Sequence, residues 1–482
     1  SEGNSMYNNT FVSAVNNLGR TENGALTYTT TNSALLDFFS RGAVSDASMA
    51  QDLFSKAYKD NKLLAMKIAF YLRDVREGQG KRDVLRATID SLMKEDVETL
   101  NTILPFIPLI GRWSDVFEYA SKFSDSTLSI VSIMINAGVA DTFHKGLVGK
   151  WLPRKGVNAK TLTKLLGLSP REYRKLAVGL SDTVEQKMCA KEWENINFSK
   201  LPSRAAKIYQ KAFMRNATES YSAYVESLKK EDGTVKVNAS TLYPSDIIAN
   251  IRRNDGNSDV LNAQWKALPN YMEGCSMNIL PVVDVSGSMD TMAYGNTTAM
   301  DVAISLGLYL STRNEGAFKN LWCTFSARPT IEIVKGDTIK EQWRNMRTSD
   351  WGYNTDLQSV FDLILGRAKS ANVNPEDMPS AILIISDMEF DAASRTETNF
   401  EAIKRKYSEH GYKMPKVVFW NANSRANNSP VTKDEDNVIL IGGYNPIAMK
   451  TILARGFAPV TPWEAMMDTI QDKYTYLENI ME

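Results

Sequence analysis

Histidine is nearly missing from this 482-residue chain, which carries only His144 and His410. That scarcity excludes histidine-rich metal sites and leaves little for catalysis by a histidine base. Cysteine is almost as rare. Cys189, Cys275 and Cys323 are an odd number without metal-ligand spacing, which excludes a disulfide framework and points to a reducing compartment. No apolar run approaches the ~20 residues of a membrane-spanning helix. No signal peptide is expected at the start, where Met6 reads as the natural first residue. A nucleophile elbow and a Walker loop are also lacking, since Gly78-Gln-Gly80 follows no strand and has no Walker-type lysine arrangement. Together these absences point to a binding protein rather than an enzyme.

Net charge is zero, but the charge is unevenly spread. From Lys145 to Arg215 there are 16 Lys or Arg against 5 Asp or Glu, an excess that the rest of the chain must offset. Such segregation suits a polyanion-binding surface, although solvated helix faces give the same excess. Within it Lys145, Lys150, Arg154, Lys155, Lys160, Lys164, Arg171, Arg174 and Lys175 are dense enough to track a phosphate backbone. Trp151 and Tyr173 are the expected exposed stacking groups among them, and Trp193, Phe198 and Tyr209 are the other aromatics of the stretch. A second basic set, Arg73, Arg76, Lys81, Arg82 and Arg112, surrounds the Gly78-Gln-Gly80 turn.

Two hydrophobic periods divide the chain. Apolar residues at three- and four-residue steps predict helices over 33–39, 62–72 and 83–93, and further helices near 127–137, 161–166, 170–188, 203–216 and 218–228. Helices paired through short connectors suggest an α-solenoid or an irregular bundle. Residues 252–259 are polar and turn-rich and read as a linker. Beyond them, apolar strands at 278–284, 321–325, 330–334, 381–386, 416–420 and 437–441 alternate with helices near 300–313, 340–347, 357–369, 398–407 and 446–454. That alternation specifies a doubly wound, mainly parallel sheet. The tail, 462–480, reads as a closing helix. The expected division is an N-terminal segment 1–25, a helical domain 26–251, a linker 252–274 and an α/β domain 275–482.

The strand Met277–Asp284 stops on Asp284-Val-Ser-Gly-Ser288, placing one carboxylate and two hydroxyls at the carboxyl edge of a sheet, where open α/β sheets bind ligands. Thr355, in Trp351-Gly-Tyr-Asn-Thr-Asp-Leu-Gln358, and Asp387, at the end of the apolar run 381–386, supply two more oxygen donors. Five hard oxygens suit Mg²⁺ or Mn²⁺. The set Asp284, Ser286, Ser288, Thr355 and Asp387 resembles the metal-ion-dependent adhesion site (MIDAS) of von Willebrand factor A (vWA) domains. Mg²⁺ keeps several waters, so an open position would accept a carboxylate from an acidic residue of a protein partner, or a phosphate. Asp290, Asp356, Glu389 and Asp391 add negative charge around the rim, where solvation and loop structure are their expected roles.

Further motifs carry a wider resemblance. They are Arg73-Asp-Val-Arg-Glu-Gly-Gln-Gly-Lys-Arg82, Gly111-Arg-Trp-Ser-Asp115, Lys150-Trp-Leu-Pro153, Met188-Cys189, Lys200-Leu-Pro-Ser203 and Val417-Val-Phe-Trp-Asn421. From about Asn32 onward the chain resembles the TROVE-module proteins of the Ro autoantigen family. It is more closely similar to a related helical-plus-vWA family of plants, fungi, bacteria and phages. The resemblance implies an α + α/β multidomain fold: an N-terminal all-α HEAT-like solenoid or ring, then a doubly wound, Rossmann-like vWA domain. It also implies a non-enzymatic, cytoplasmic RNA-binding protein (in the host cytoplasm if phage-encoded) that holds single-stranded ends of small or misfolded RNA, with the metal site as a docking point. In one departure, Gly352-Tyr-Asn-Thr355 stands where many vWA domains have Gly-Gly-Thr. The alternative is a metal-dependent protein-assembly module without RNA binding. Spacing sets neither ring closure nor oligomeric state.

Overall fold

The computed structural model describes residues 17–20, 26–140, 145–180, 223, 226, 242–326, 328–349, 356–389, 400–423, 429–456 and 460–481. They form two units. One contains the described residues of Ser1–Asp46 and Leu242–Lys473, the other those of Ala47–Thr241 and Tyr474–Glu482. The layout is α + α/β, a helical region followed by a mixed parallel and antiparallel sheet region. Among the described residues no helix is long and apolar enough to cross a membrane. The predicted helix at 203–216, all of 218–228 but residues 223 and 226, and residues 181–188 of the helix predicted at 170–188 lie outside the described residues.

In the helical unit, Lys62–Arg73 shows how the sequence sets an element. Asn61 accepts from Leu64 N and starts the helix. Residues 65 to 73 are then all buried, so this helix forms the centre of its unit. It stops at Asp74, whose Oδ1 accepts the backbone N–H groups of Arg76 and Glu77. Gly78 follows because a Cβ there would collide with the Tyr71 carbonyl. Against this helix pack Ala47–Asp60 and Arg82–Glu95, and Val97–Ile103 packs in turn on Arg82–Glu95. Further along come Asp125–Ala140, Lys145–Trp151, Val157–Leu165 and Pro170–Leu180.

The expected closing helix is interrupted. Pro462–Ile470 and Tyr476–Ile480 are separate helices, and Tyr474 between them adopts φ +55°. The break lets Tyr474 donate to Asp74 Oδ2 at 2.7 Å and Tyr476 stack on Phe106 at 4.8 Å. Glu478 meets the buried Lys67 ammonium at 2.6 Å. These contacts make the last residues part of the helical unit.

The sheet unit has six main strands: β1 Ile279–Val283, β2 Leu321–Thr324, β3 Ile331–Ile333, β4 Ala381–Ser386, β5 Lys416–Asn421 and β6 Val438–Gly442. Their order is β6-β5-β4-β1-β2-β3, all parallel except the antiparallel edge strand β3. Every residue of β1, β4 and β6 is buried, as expected for parallel strands covered on both faces. The order reverses between β1 and β4, and such a switch point opens a crevice at the carboxyl ends of the strands.

Three elements differ from expectation. The helix Ala34–Arg41 joins the sheet unit because seven of its eight residues are buried, packed on β6 and Pro462–Ile470. The supposed linker 252–274 contains the helix Ser258–Ala267, capped by Asn257, so the polar turn is only its entrance. A small hairpin, Met292–Tyr294 with Thr297–Thr298, follows the Asp284–Ser288 turn.

Candidate cation site at the carboxyl edge of the sheet

Asp284 follows β1 and is completely buried. Its Oδ1 accepts Ser286 N at 2.9 Å and folds the chain back into the turn. Its Oδ2 accepts the Ser386 hydroxyl at 2.8 Å. The Ser286 and Ser288 hydroxyls lie 3.1 Å apart. From the neighbouring β4, Asp387 presents a buried carboxyl that accepts a hydrogen bond from Ser288. Its Oδ1 also accepts Glu389 N at 3.1 Å, with Met388 between them at φ +66°. Four of the five predicted ligands, Asp284, Ser286, Ser288 and Asp387, therefore meet at the switch point. Thr355 lies outside the described residues.

The electrostatics fit a hard cation. Burial first, and the neighbouring Asp284 second, push the Asp387 carboxyl up to about 7. Two carboxylates buried in each other's field call for a shared proton or a cation. Among the described residues no group of three or more His, Cys, Asp or Glu is placed so that it could hold a metal ion. A cation here would thus rely on hydroxyl and water oxygens beside two carboxylates, the environment Mg²⁺ and Mn²⁺ favour.

Glu389 is not a solvated rim residue, whereas Asp356 has the loop-structuring role expected of it. Glu389 is buried and contributes to the field that raises Asp387. Asp356 caps the helix Leu357–Ala371 by accepting from Gln358 N and Ser359 N. Asp391 lies outside the described residues.

Ser386 is a site residue that sequence reasoning overlooked. Its hydroxyl donates to Asp284 and accepts Met388 N at 3.1 Å, so one buried oxygen ties the β1 turn to the β4 turn. The available signal was a single hydroxyl closing an otherwise wholly apolar strand. Ser326, just beyond β2 at the same edge, also carries a buried hydroxyl, with no hydrogen-bond partner among the described residues.

Comparison with known proteins adds the family. Residues 278–477 match a model described as a domain of unknown function (DUF7788). Residues 21–118 and 169–275 match a second, also described as a domain of unknown function (DUF2828). Over 504 residues the chain is 30% identical to "Uncharacterized protein L728" of Acanthamoeba polyphaga mimivirus, covering 92% of this chain and 86% of the viral protein. The chain belongs to that protein's family. Within this family plan the candidate cation site lies wholly in the DUF7788 part.

The predicted basic residues scatter among several roles. Arg73 is buried and pairs with the buried Asp115 through Nε at 3.0 Å and Nη2 at 2.9 Å. Arg82 reaches the same carboxylate at 3.3 Å, and Arg112 N donates to it at 2.9 Å. Gly111 is required here, because a Cβ would collide with Asp115 Oδ2. The motifs around Arg73 and Asp115 therefore build a structural knot, and Arg73 is closed to a polynucleotide. Lys81 is mostly covered and pairs with Asp83 at 3.7 Å. Arg76 is exposed and donates to the Leu109 carbonyl.

Tyr173 is buried rather than exposed, and its hydroxyl donates to the Pro153 carbonyl at 2.7 Å. Trp151 is half-buried, with the Arg112 guanidinium and the Lys150 ammonium each 5.1 Å from its ring. Arg154 donates to the carbonyls of Leu152 and Ala177. Lys155, Lys160, Arg171, Arg174 and Lys175 are exposed. The DUF2828 match skips residues 119–168, so Lys150, Trp151, Arg154, Lys155 and Lys160 stand outside the matched family core. Trp193, Phe198 and Tyr209 lie outside the described residues.

Proposed function

We propose that this protein is a cation-dependent docking protein. Its sheet unit is a vWA-type domain that holds Mg²⁺ or Mn²⁺ at Asp284, Ser286, Ser288 and Asp387 and, through the cation, grips an acidic group of a partner. The meeting of these four side chains at the β1/β4 switch point carries the proposal. Bound there, the cation supplies a positive charge with exchangeable positions. The residues of the chain orient it through two carboxylates and two hydroxyls. The strand order and the antiparallel edge strand β3 support the vWA assignment. Binding rather than catalysis is the role assigned, in the reducing cytoplasm that the buried thiols of Cys275 and Cys323 suit.

Titrating the full chain with MnCl₂ in a calorimeter tests this. One site per chain, lost in Asp284→Ala, is expected. A native chain that binds no Mn²⁺ at millimolar concentration sinks the proposal.

A second reading, binding of single-stranded RNA by a TROVE-like helical unit, has its own support. Lys155, Lys160, Arg171 and Lys175 make no ion pair with a described acidic residue. Fluorescence anisotropy with a single-stranded RNA at several salt concentrations tests it. Affinity should fall with a log–log slope near about −0.7 per phosphate contact. A flat response or no binding at low salt removes this reading.

A further inference from the structure

A third strand also reaches the candidate cation site. β5 ends at Asn421, which lies in register with Ser386 of β4, and Ala422 N donates to the Ser386 carbonyl at 2.9 Å. Asn421 Oδ1 then accepts Asn423 N at 3.1 Å, which turns the chain and fixes Asn423 in a buried position. The Asn423 amide donates to the Thr291 hydroxyl at 3.2 Å, and that hydroxyl donates to the Ser288 carbonyl at 3.1 Å. An amide nitrogen only donates, so Thr291 must accept from Asn423 and spend its one proton on Ser288. The relay therefore has a single direction, from β5 past β4 to the turn after β1.

We propose that Asn423 and Thr291 are positioning residues for the cation site, holding the Ser288 end of the turn where its hydroxyl can serve as a ligand. This inference rests on the cation-site proposal. Within the turn, Ser286 N bonds Asp284 Oδ1, Met289 N the Ser286 carbonyl and Asp290 N the Gly287 carbonyl, while β4 holds it through the Ser386 hydroxyl on Asp284 and through Asp387, which accepts from the Ser288 hydroxyl. Those bonds reach the turn from within or from the neighbouring β4, and none of them engages the Ser288 carbonyl that Thr291 holds. Thr291 and Asn423 tie it to the far side of the sheet edge. Groups that orient ligands from behind commonly change metal affinity by about 10–100-fold when removed.

Mn²⁺ titration of the full chain, followed by electron paramagnetic resonance of the free ion, tests the relay. Thr291→Val and Asn423→Ala are each expected to weaken Mn²⁺ binding about tenfold. Thr291→Ser, which keeps the hydroxyl, should bind like the native chain. The double variant should be no weaker than the weaker single one, because both substitutions break one relay. Circular dichroism melting under chelator should show the variants folded. Native Mn²⁺ binding with Thr291→Val and Asn423→Ala both within twofold of it overturns the relay alone, as do additive losses in the double variant. A native chain that binds no Mn²⁺ overturns the cation site and the relay together.

Discussion

The Ser386 hydroxyl donates to Asp284 Oδ2 at 2.8 Å, joining two residues 102 positions apart at the ends of adjacent strands. Both are completely buried. Removing the donor leaves a buried carboxylate oxygen without its partner, which costs about 1–3 kcal/mol, more where the group is charged. Ser386→Ala should therefore lower the chemical-denaturation midpoint of the sheet unit, and added Mg²⁺ should restore part of the loss. A midpoint unchanged from the native chain would show that the bond contributes nothing.

Asp387 predicts how stability varies with pH in the absence of cation. Its carboxyl is raised from an ordinary 3.8 to about 7, by burial and then by Asp284. The folded form holds its proton more tightly than the unfolded chain, so the contribution is fully present below about pH 4 and lost as pH rises to about 7. Melting temperature under chelator should fall across that window from this group. Asp387→Asn, which cannot ionise, should flatten the fall. Saturating Mg²⁺ should flatten it too, and an equal slope in all three conditions would contradict the assignment.

The Arg73–Asp115 pair is buried on both sides, with side chains 3% and 1% exposed. Breaking such a pair by removing one partner typically costs about 3–5 kcal/mol, because a charge is left uncompensated. Arg73→Ala should thus destabilise the helical unit by an amount of that order in urea denaturation. Lys155→Ala, at an exposed side chain, should change stability by less than about 0.5 kcal/mol. Similar effects of the two substitutions would refute the structural role of Arg73.

Tyr474 fastens the last residues to Asp74. Burial, with Asp74 adding to it, pushes its phenol far above the ordinary range, so it stays a neutral donor at any working pH. A hydrogen bond to a charged acceptor contributes about 1.5–3 kcal/mol. Tyr474→Phe should destabilise the helical unit by that much and speed amide exchange in Tyr476–Ile480. Exchange rates equal to native would show that Tyr476 and Glu478 hold the segment without it.

Much of the sheet unit was legible in the sequence. The six strands fall within a residue or two of their expected positions. β1, β4 and β6 do so because a strand buried on both faces is a continuous apolar run, whereas the exposed edge strand β3 is an alternating Ile331-Glu332-Ile333. Asp284, Ser286, Ser288 and Asp387 were legible for a related reason, as oxygen donors placed directly after such runs. The basic residues were less readable. Arg73 and Lys160 look alike in the sequence, yet one is sealed against Asp115 and the other lies in solvent. Tyr173 sits between basic neighbours, but its helix turns it inward to the Pro153 carbonyl.

The sequence by itself determined the order of elements and the strand-end oxygen donors, since each is written in contiguous residues. The tertiary structure alone decided which charges are buried, that the helix Ala34–Arg41 belongs with the sheet, and that Ser386, Thr291 and Asn423 hydrogen-bond to the Asp284–Ser288 segment or to one another beside it. Those outcomes depend on partners 42 positions apart for Arg73 and Asp115, 132 for Asn423 and Thr291, and 400 for Tyr474 and Asp74. Local patterning constrains each segment's own conformation and burial, but which distant group meets a buried donor or charge is settled only when the segments pack.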